Sequence, residues 1–150
     1  MREIKFRGQT YDTPPHWVFG DLYHYITGEP AINYPHPHKK WLEREPVRPD
    51  TVGQFTGRCV SESAGIFEGD VLEYTVFDYQ GQDVQYRGVV EWCGSRFIVS
   101  VCLVLASNKW REKRDYEESY YDLDWLLDQD DEVKIIGNVH DNPELLEVEA

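Results

Sequence analysis

The chain has few cysteines, few basic residues and no long apolar run. Three cysteines, Cys59, Cys93 and Cys102, are spread over 150 residues without any CxxC pair. This spacing indicates neither a disulfide framework nor a zinc or thioredoxin-type site. The longest apolar stretch, at 97–106, contains Ser100 and is too short to span a membrane. We therefore expect a protein of the reducing cytoplasm, with no membrane segment, no metal and no cofactor.

Basic charge is scarce relative to acidic charge. Lys and Arg number 15 against 28 Asp and Glu, which gives a formal net charge of −13. Such a charge repels nucleic-acid phosphates and anionic lipid, so direct nucleic-acid binding is not expected. Two interpretations stay open: the acids serve solubility alone, or they serve a basic protein partner.

Motifs for known chemistries are also absent from the sequence. There is no P-loop, no GxGxxG, no HExxH and no serine nucleophile elbow. The many acids could include a catalytic pair, but no motif singles one out. We therefore predict no catalytic residue, and we expect a protein that is not an enzyme.

The residues that are abundant favour β-structure. Aromatic residues make up 14% of the chain, with ten Tyr and five Trp, and aromatic rings pack well across strands. Apolar and polar residues alternate in several segments, which is typical of strands. The predicted strands are 4–7, 16–26, 51–55, 70–77, 87–92, 96–104 and 133–139. We predict a mainly β protein of small bent antiparallel sheets, with an SH3-like barrel in its C-terminal part.

Prolines divide the predicted strands into two groups. Five of the eight prolines lie between residues 30 and 49. Because proline cannot donate to a sheet ladder, this stretch is predicted to be a loop or an edge segment. We expect a single domain with two possible subdomains, at 1–57 and 58–150.

One amphipathic helix is predicted at residues 115–132. Tyr116, Tyr120, Leu123 and Leu127 recur at helical spacing and form an apolar stripe. A second, short helix is predicted at the C-terminal end, where Asn142 can cap and Pro143 can occupy the first turn.

The long helix is also the most acidic segment. Its nine acids are Asp115, Glu117, Glu118, Asp122, Asp124, Asp128, Asp130, Asp131 and Glu132. Asp122, Asp124 and Asp128 are candidate binding residues for a basic partner, and the cluster could also mimic nucleic-acid phosphates. The alternative is a solvated helix face without a partner.

Two further segments have both a functional and a structural interpretation. His36 and His38 could share a face and bind a metal, but no further ligand is apparent nearby, and an exposed proline-rich loop explains them equally. Arg2, Lys5 and Arg7 precede a strand with aromatics on both faces, at 16–26. That combination could stack bases, pair with a second copy of the chain, or simply pack a core.

Four sequence blocks resemble one known family. They are REIKFRG at 2–8, TVGQFTG at 51–57, IFEGDV at 66–71 and IIGNVHDNPELL at 135–146. In this order they resemble the YopX family of phage and prophage proteins, over roughly residues 1–28 and 47–147. Residues 59–64 depart from the polar turn usual in such proteins. The resemblance implies a phage-derived accessory protein and no particular chemistry, because the family has no settled activity.

Within and near these blocks, the resemblance also selects individual residues. Gly20 and the block glycines look like determinants of the fold. The polar and aromatic residues are candidate binding positions, although they could instead satisfy turn and edge backbone groups. These candidates are Arg7, Trp17, Gln54, Asp70, Asn138 and His140.

We expect a non-enzymatic accessory protein that binds an unidentified, possibly basic, host or phage protein in the bacterial cytoplasm. A nucleic-acid-associated or DNA-mimicking regulator is the first alternative, and an enzyme of unknown type is the second. Self-association to a homo-oligomer is a further possibility.

Overall fold

The computed structural model describes residues 3–77, 80–130 and 132–148. Strands account for 55% of the structure and helices for 10%, and the sheets are antiparallel. The chain forms two compact units, residues 1–57 and 58–150. The predicted mainly β fold is therefore confirmed.

The first unit is an antiparallel sheet. Its strands are β1 (Phe6–Gln9), β2 (Trp17–His24), β3 (Pro30–Pro35), β4 (Leu42–Pro46) and the start of β5 (Gly53–Ser61), with a 3₁₀ turn at Pro49–Thr51. Hydrogen bonding follows the order β4-β3-β2-β1-β5. β2 is thus paired within the chain on both sides: its first half, Trp17–Gly20, pairs with β1, and its second half, Asp21–His24, pairs with β3.

The proline-rich stretch is more regular than the sequence predicts. It forms β3 and β4, and only β4 is the expected edge strand. β3 starts at Pro30 and finishes at Pro35, and Pro46 is the last residue of β4. Prolines at strand ends remove no interior ladder hydrogen bond, so the composition is compatible with a sheet.

The second unit is a curled half-barrel sheet, and its described residues contain one α-helix. Its elements are β6 (Ala64–Phe67), β7 (Asp70–Phe77), β8 (Asp83–Trp92), β9 (Phe97–Ala106), β10 (Lys109–Glu112), β11 (Tyr120–Asp122), α1 (Leu123–Gln129), β12 (Lys134–Asn138) and a 3₁₀ turn at Pro143–Leu146. β5 continues into this unit beside β6. The other strands follow the order β10-β9-β8-β7-β12, and β11 also pairs with β9.

The core of the second unit lies between this sheet and α1. Leu72, Tyr74 and Val76 alternate along β7 and are buried against Leu123 and Leu126 of the helix. Each such leucine stabilises the fold by roughly 1.5–3 kcal/mol through burial. This contact fixes α1 on the sheet.

The helix is shorter than predicted. α1 has seven residues instead of spanning 115–132, because Tyr120–Asp122 form a strand in which Tyr121 pairs with Val99. The apolar spacing that indicated a helix therefore belongs to a loop, a strand and a helix in succession. No helix in the described part of the chain is long and apolar enough to cross a membrane.

Candidate binding site

The second unit contains a cavity of about 800 Å³. Its apolar floor comes from β7, β8 and β9, and its wall from the segment between β10 and α1. The lining residues are Val76, Phe77, Val84, Tyr86, Val104, Leu105, Ala106, Arg111, Tyr116, Glu117, Glu118, Tyr120, Tyr121, Asp122 and Trp125. A concave site of this size, lined by aromatic and aliphatic groups with a few polar ones, is typical of ligand pockets.

Stacked rings build one side of the cavity. The ring of Tyr121 lies 5.7 Å from that of Trp125 with an interplanar angle of 14°, and 5.8 Å from the ring of Tyr86. Beneath them, Tyr74 stacks on Tyr86 at 5.7 Å and is only 2% exposed. Ring pairs at these separations attract one another beyond simple burial, so this wall is preformed.

Tyr74 is the most deeply buried polar group beside the cavity. Within the described residues its hydroxyl has no hydrogen-bond partner. Burial raises the pKa of Tyr74 well above its ordinary value, and the neighbouring Tyr121 raises it further. The phenol therefore stays neutral, and its ring supports the lining residues Tyr86 and Tyr121 from behind.

Large aromatic side chains are exposed around the mouth of the cavity. Phe77 is 66% exposed, Tyr116 77%, Tyr120 46% and Trp125 47%. A cluster of exposed aromatics around one concavity differs from the single exposed apolar residues found on most proteins. Tyr and Trp in such positions are the side chains that most often dominate binding energy.

An ion pair fastens the loop that carries part of this wall. Nη1 of Arg111 lies 2.7 Å from Oε1 of Glu117, and the backbone N–H of Arg114 donates to the same oxygen at 3.1 Å. Partial burial raises the pKa of Glu117, but the hydrogen bonds and charges of Arg111 and Arg114 outweigh it and hold the pKa below its usual value. Glu117 therefore anchors the loop as a carboxylate.

The other arginines near the cavity are also engaged. Nη1 of Arg114 donates to the Tyr116 hydroxyl at 2.6 Å, and Nε of Arg96 lies 3.4 Å from Oδ2 of Asp122. In contrast, Glu118 forms no hydrogen bond or ion pair with any residue that the structure describes. Of the three carboxylates that line the cavity, Glu118 is thus the one available to a ligand.

The acids predicted as binding residues on α1 have structural partners. Asp122 caps the helix, because its carboxylate accepts the Trp125 backbone N–H at 3.1 Å. Asp124 and Asp128 lie one turn apart and contact the guanidinium of Arg58 at 3.1 Å and 3.0 Å. The hydrogen bond that Arg58 donates to Asp128 is the main reason that the pKa of Arg58 is raised.

Asp130 is also bonded, and it accepts the backbone N–H groups of Thr75 and Glu132. Asp131 lies outside the described residues. Of the three predicted acids, the structure brings only Asp122 to the cavity. Asp124 and Asp128 remain highly exposed despite their contact with Arg58, at 72% and 71% of the side chain.

The polar candidates near β12 and β7 belong to turns outside the cavity. Asp70 is 2% exposed and accepts the Phe67 backbone N–H at 2.8 Å. Oδ1 of Asn138 accepts the backbone N–H groups of His140 and Asp141, at 3.0 Å and 2.9 Å. His140 is half-buried in this turn. These contacts match the turn-stabilising interpretation of Asp70 and Asn138.

The remaining candidates lie in the first unit. The guanidinium carbon of Arg7 is 4.6 Å from the centre of the Trp17 ring, and Arg7 is only 7% exposed. Gln54 pairs with Phe6 across β1 and β5. Arg7 therefore stabilises this face of the sheet, because a guanidinium over an indole ring is attracted to it, and more strongly when the pair is removed from water. Arg2 lies outside the described residues.

The two histidines of the proline-rich segment contact each other. Nδ1 of His36 accepts the His38 backbone N–H at 3.1 Å, and the ring centres are 6.2 Å apart. This bond occupies one of the two ring nitrogens through which His36 could bind a metal. No group of three potential metal-ligating side chains occurs among the described residues.

Comparison with known proteins identifies one family. The family model described as YopX protein matches residues 5–147, nearly the whole chain. No curated protein matches the chain significantly.

Proposed function

The chain belongs to the YopX family, and we propose that it is a phage- or prophage-derived accessory protein that binds another protein in the bacterial cytoplasm. The observation that carries this proposal is the aromatic cavity of the second unit. No catalytic step is needed to explain its composition.

The exposed rings are suited to a protein partner. Phe77, Tyr116, Tyr120 and Trp125 surround an apolar floor, and each presents 46% or more of its surface to solvent. In protein interfaces, a few such aromatic anchors at the centre each contribute about 2 kcal/mol or more, while the surrounding contacts exclude water. A preformed ring wall reduces the entropy that binding would otherwise cost.

The distribution of charge indicates what kind of partner is favoured. The first unit contains equal numbers of acidic and basic residues, so the whole net charge of −13 belongs to the second unit. A field of this sign accelerates encounter with a basic protein and repels nucleic acid. We therefore propose a partner that is positively charged where it meets the cavity.

The DNA-mimicking alternative depends on an ordered array of available carboxylates. Asp122 and Asp130 accept backbone hydrogen bonds, and Asp124 and Asp128 share Arg58. Asp122 and Asp130 thus serve the fold of the second unit, while the charges of Asp124 and Asp128 are partly neutralised by Arg58. The cavity is the better supported site.

The proposal is tested by affinity capture from a bacterial lysate treated with nuclease, using matched tryptophan variants. Trp125 lines the cavity and Trp92 does not, yet both are 47% exposed. We expect one protein to be captured by the wild type and by W92A but lost with W125A. Its binding to the purified chain is then measured directly by calorimetry.

Two outcomes would refute the proposal, and one control is needed. A partner retained equally by W125A would place binding outside the cavity. Loss of the partner on nuclease treatment would show that nucleic acid bridges the two. Equal melting temperatures of W125A and W92A would verify that a lost partner reflects a lost contact rather than unfolding.

A further inference from the structure

We infer that the cavity receives a short segment of the partner in which an apolar side chain is adjacent to a lysine or arginine. This inference rests on the proposed function and specifies the ligand of the same site. Two features carry it: an apolar floor beside exposed rings, and one available carboxylate at the same opening.

The floor of the cavity is the reason to expect an apolar side chain in the ligand. Val76, Val84, Val104 and Leu105 offer only aliphatic surface, and Tyr86 closes one side. A volume of about 800 Å³ is larger than any single side chain and suits several residues of a peptide. An aliphatic or aromatic anchor placed there is removed from water, which stabilises the complex by roughly 25 cal/mol for each Å² of apolar surface.

Glu118 is the reason to expect a lysine or arginine beside the apolar side chain of the ligand. The cavity is lined by three carboxylates and one guanidinium. Glu117 binds Arg111 and Asp122 lies next to Arg96. Glu118 is the remaining charge, and within the described residues nothing neutralises it. A lysine or arginine at the mouth would supply the missing partner.

The rings at the mouth favour the same chemistry. Tyr116 and Tyr120 are both well exposed and both line the cavity beside Glu118. Each already attracts a cation of the chain: the guanidinium carbon of Arg114 lies 5.9 Å from the Tyr116 ring centre, and that of Arg96 lies 5.8 Å from the Tyr120 ring centre. Because each guanidinium also donates to the hydroxyl of its tyrosine, at 2.6 Å from Arg114 and 3.5 Å from Arg96, it lies toward the hydroxyl end of the ring. The exposed part of each ring can accept a further cation, an interaction worth about 0.5–2 kcal/mol.

An acidic ligand is disfavoured at this site. The arginines that could receive it are engaged: Arg111 with Glu117, and Arg114 with the Tyr116 hydroxyl. An incoming carboxylate or phosphate would face Glu118 and the −13 charge of the second unit. A neutral apolar segment would fill the floor but leave Glu118 without a partner.

The test is a selection of random heptapeptides displayed on the surface of a phage. The full chain is the bait, and a variant with a filled cavity, A106W, is the counter-selection bait. Ala106 lies at the end of β9 in the cavity lining, so a bulky side chain there occupies the site without replacing a core residue. Unchanged circular dichroism and melting temperature would show that A106W is folded.

The expected result is a set of peptides with an apolar residue next to Lys or Arg. For such a peptide, E118Q should weaken binding about five- to tenfold and reduce its salt dependence, since one charge-assisted contact is lost. E62Q is the matched control: it removes one exposed acid of the same unit outside the cavity lining and should change affinity less than about twofold.

Failure of the inference can be distinguished from failure of the proposed function. Peptides that bind the wild type better than A106W but lack Lys or Arg would overturn the inference and leave a protein-binding cavity intact. The same holds if E118Q and E62Q behave alike. A selection in which no peptide prefers the wild type to A106W would overturn both.

Discussion

Oε1 of Glu117 lies 2.7 Å from Nη1 of Arg111, and this ion pair joins the loop after β10 to the strand itself. The Glu117 side chain is 14% exposed and that of Arg111 is 29% exposed, so water screens the pair only in part. Both residues line the cavity. The shape of the binding site thus depends on a charged contact made within one short segment.

Replacing Glu117 by glutamine should destabilise the protein by about 1–2 kcal/mol at pH 7, because a charge-assisted hydrogen bond is lost. The pKa of Glu117 is lowered in the folded chain. Its contribution is therefore complete above the unfolded value of about 4.3 and disappears as pH falls through the folded value. Urea unfolding of wild type and E117Q at pH 7 and pH 3 should show the difference shrinking.

An exposed acid of the same segment provides the control for that measurement. E112Q should unfold like the wild type at both pH values, since the Glu112 side chain is exposed on β10. A difference between wild type and E117Q that is constant with pH would contradict an ionic role for Glu117.

The cap of α1 gives a second prediction. Asp122 accepts the Trp125 backbone N–H at 3.1 Å and lies 3.4 Å from Arg96. D122A should lower the free energy of unfolding by about 1 kcal/mol, the usual cost of losing such a cap. D122N keeps an acceptor at the cap and loses only the ion pair, so it should cost less than half as much. Equal losses in the two variants would assign the effect to Arg96 instead.

The sequence predicted β7, β8, β9 and β12 because alternation there coincides with burial, whereas the shorter strands β6, β10 and β11 were missed. Residues 70–77 were predicted as a strand and are β7, in which Leu72, Tyr74 and Val76 face the core. β3 and β4 are not predicted because proline disfavours the interior of a sheet, whereas Pro30 and Pro35 are the first and last residues of β3. Whether a proline is at a strand end or in its interior depends on pairing with residues distant in sequence.

The cavity could not be predicted because its walls are distant in sequence. Tyr86 on β8 and Tyr121 on β11 meet only after both strands join the same sheet as β9. The signal that was present, a run of aromatics at 116–125, fitted a helical stripe equally well. Charge density predicts the acids of α1 as binding residues, but Asp124 and Asp128 contact Arg58, which is far away in the sequence.

Gly20 of the first unit tests whether glycines that match the family are required for the fold. A Cβ added at Gly20 would lie 1.9 Å from the backbone oxygen of Asn33, and backbone there cannot rotate away. G20A should therefore push β2 from β3 and destabilise the first unit by more than about 2 kcal/mol. Hydrogen exchange of the β2 and β3 amides would locate the loss.

Gly28 in the same unit supplies the comparison. Its φ is +90°, but an added Cβ would meet nothing within 4 Å. G28A should thus cost only the strain of a positive φ, about 1 kcal/mol. If G20A cost no more than G28A, close approach of the two strands at Gly20 would not be a determinant of this sheet.

The turn that contains Cys93 should make its thiol reactive at a lower pH than that of Cys102. Loss of hydration raises the pKa of the Cys93 thiol. Hydrogen bonds from the backbone of Ser95 and Arg96 and from the Arg96 guanidinium have the opposite and larger effect, so the pKa lies below its ordinary value. Burial raises the pKa of Cys102. Because the thiolate is the nucleophile, iodoacetamide should modify Cys93 with a pH midpoint below that of Cys102, as measured by peptide mass spectrometry. R96Q should shift the Cys93 midpoint upward and leave the rate at exposed Cys59 unchanged; a Cys93 profile that R96Q does not move would exclude the arginine as the cause.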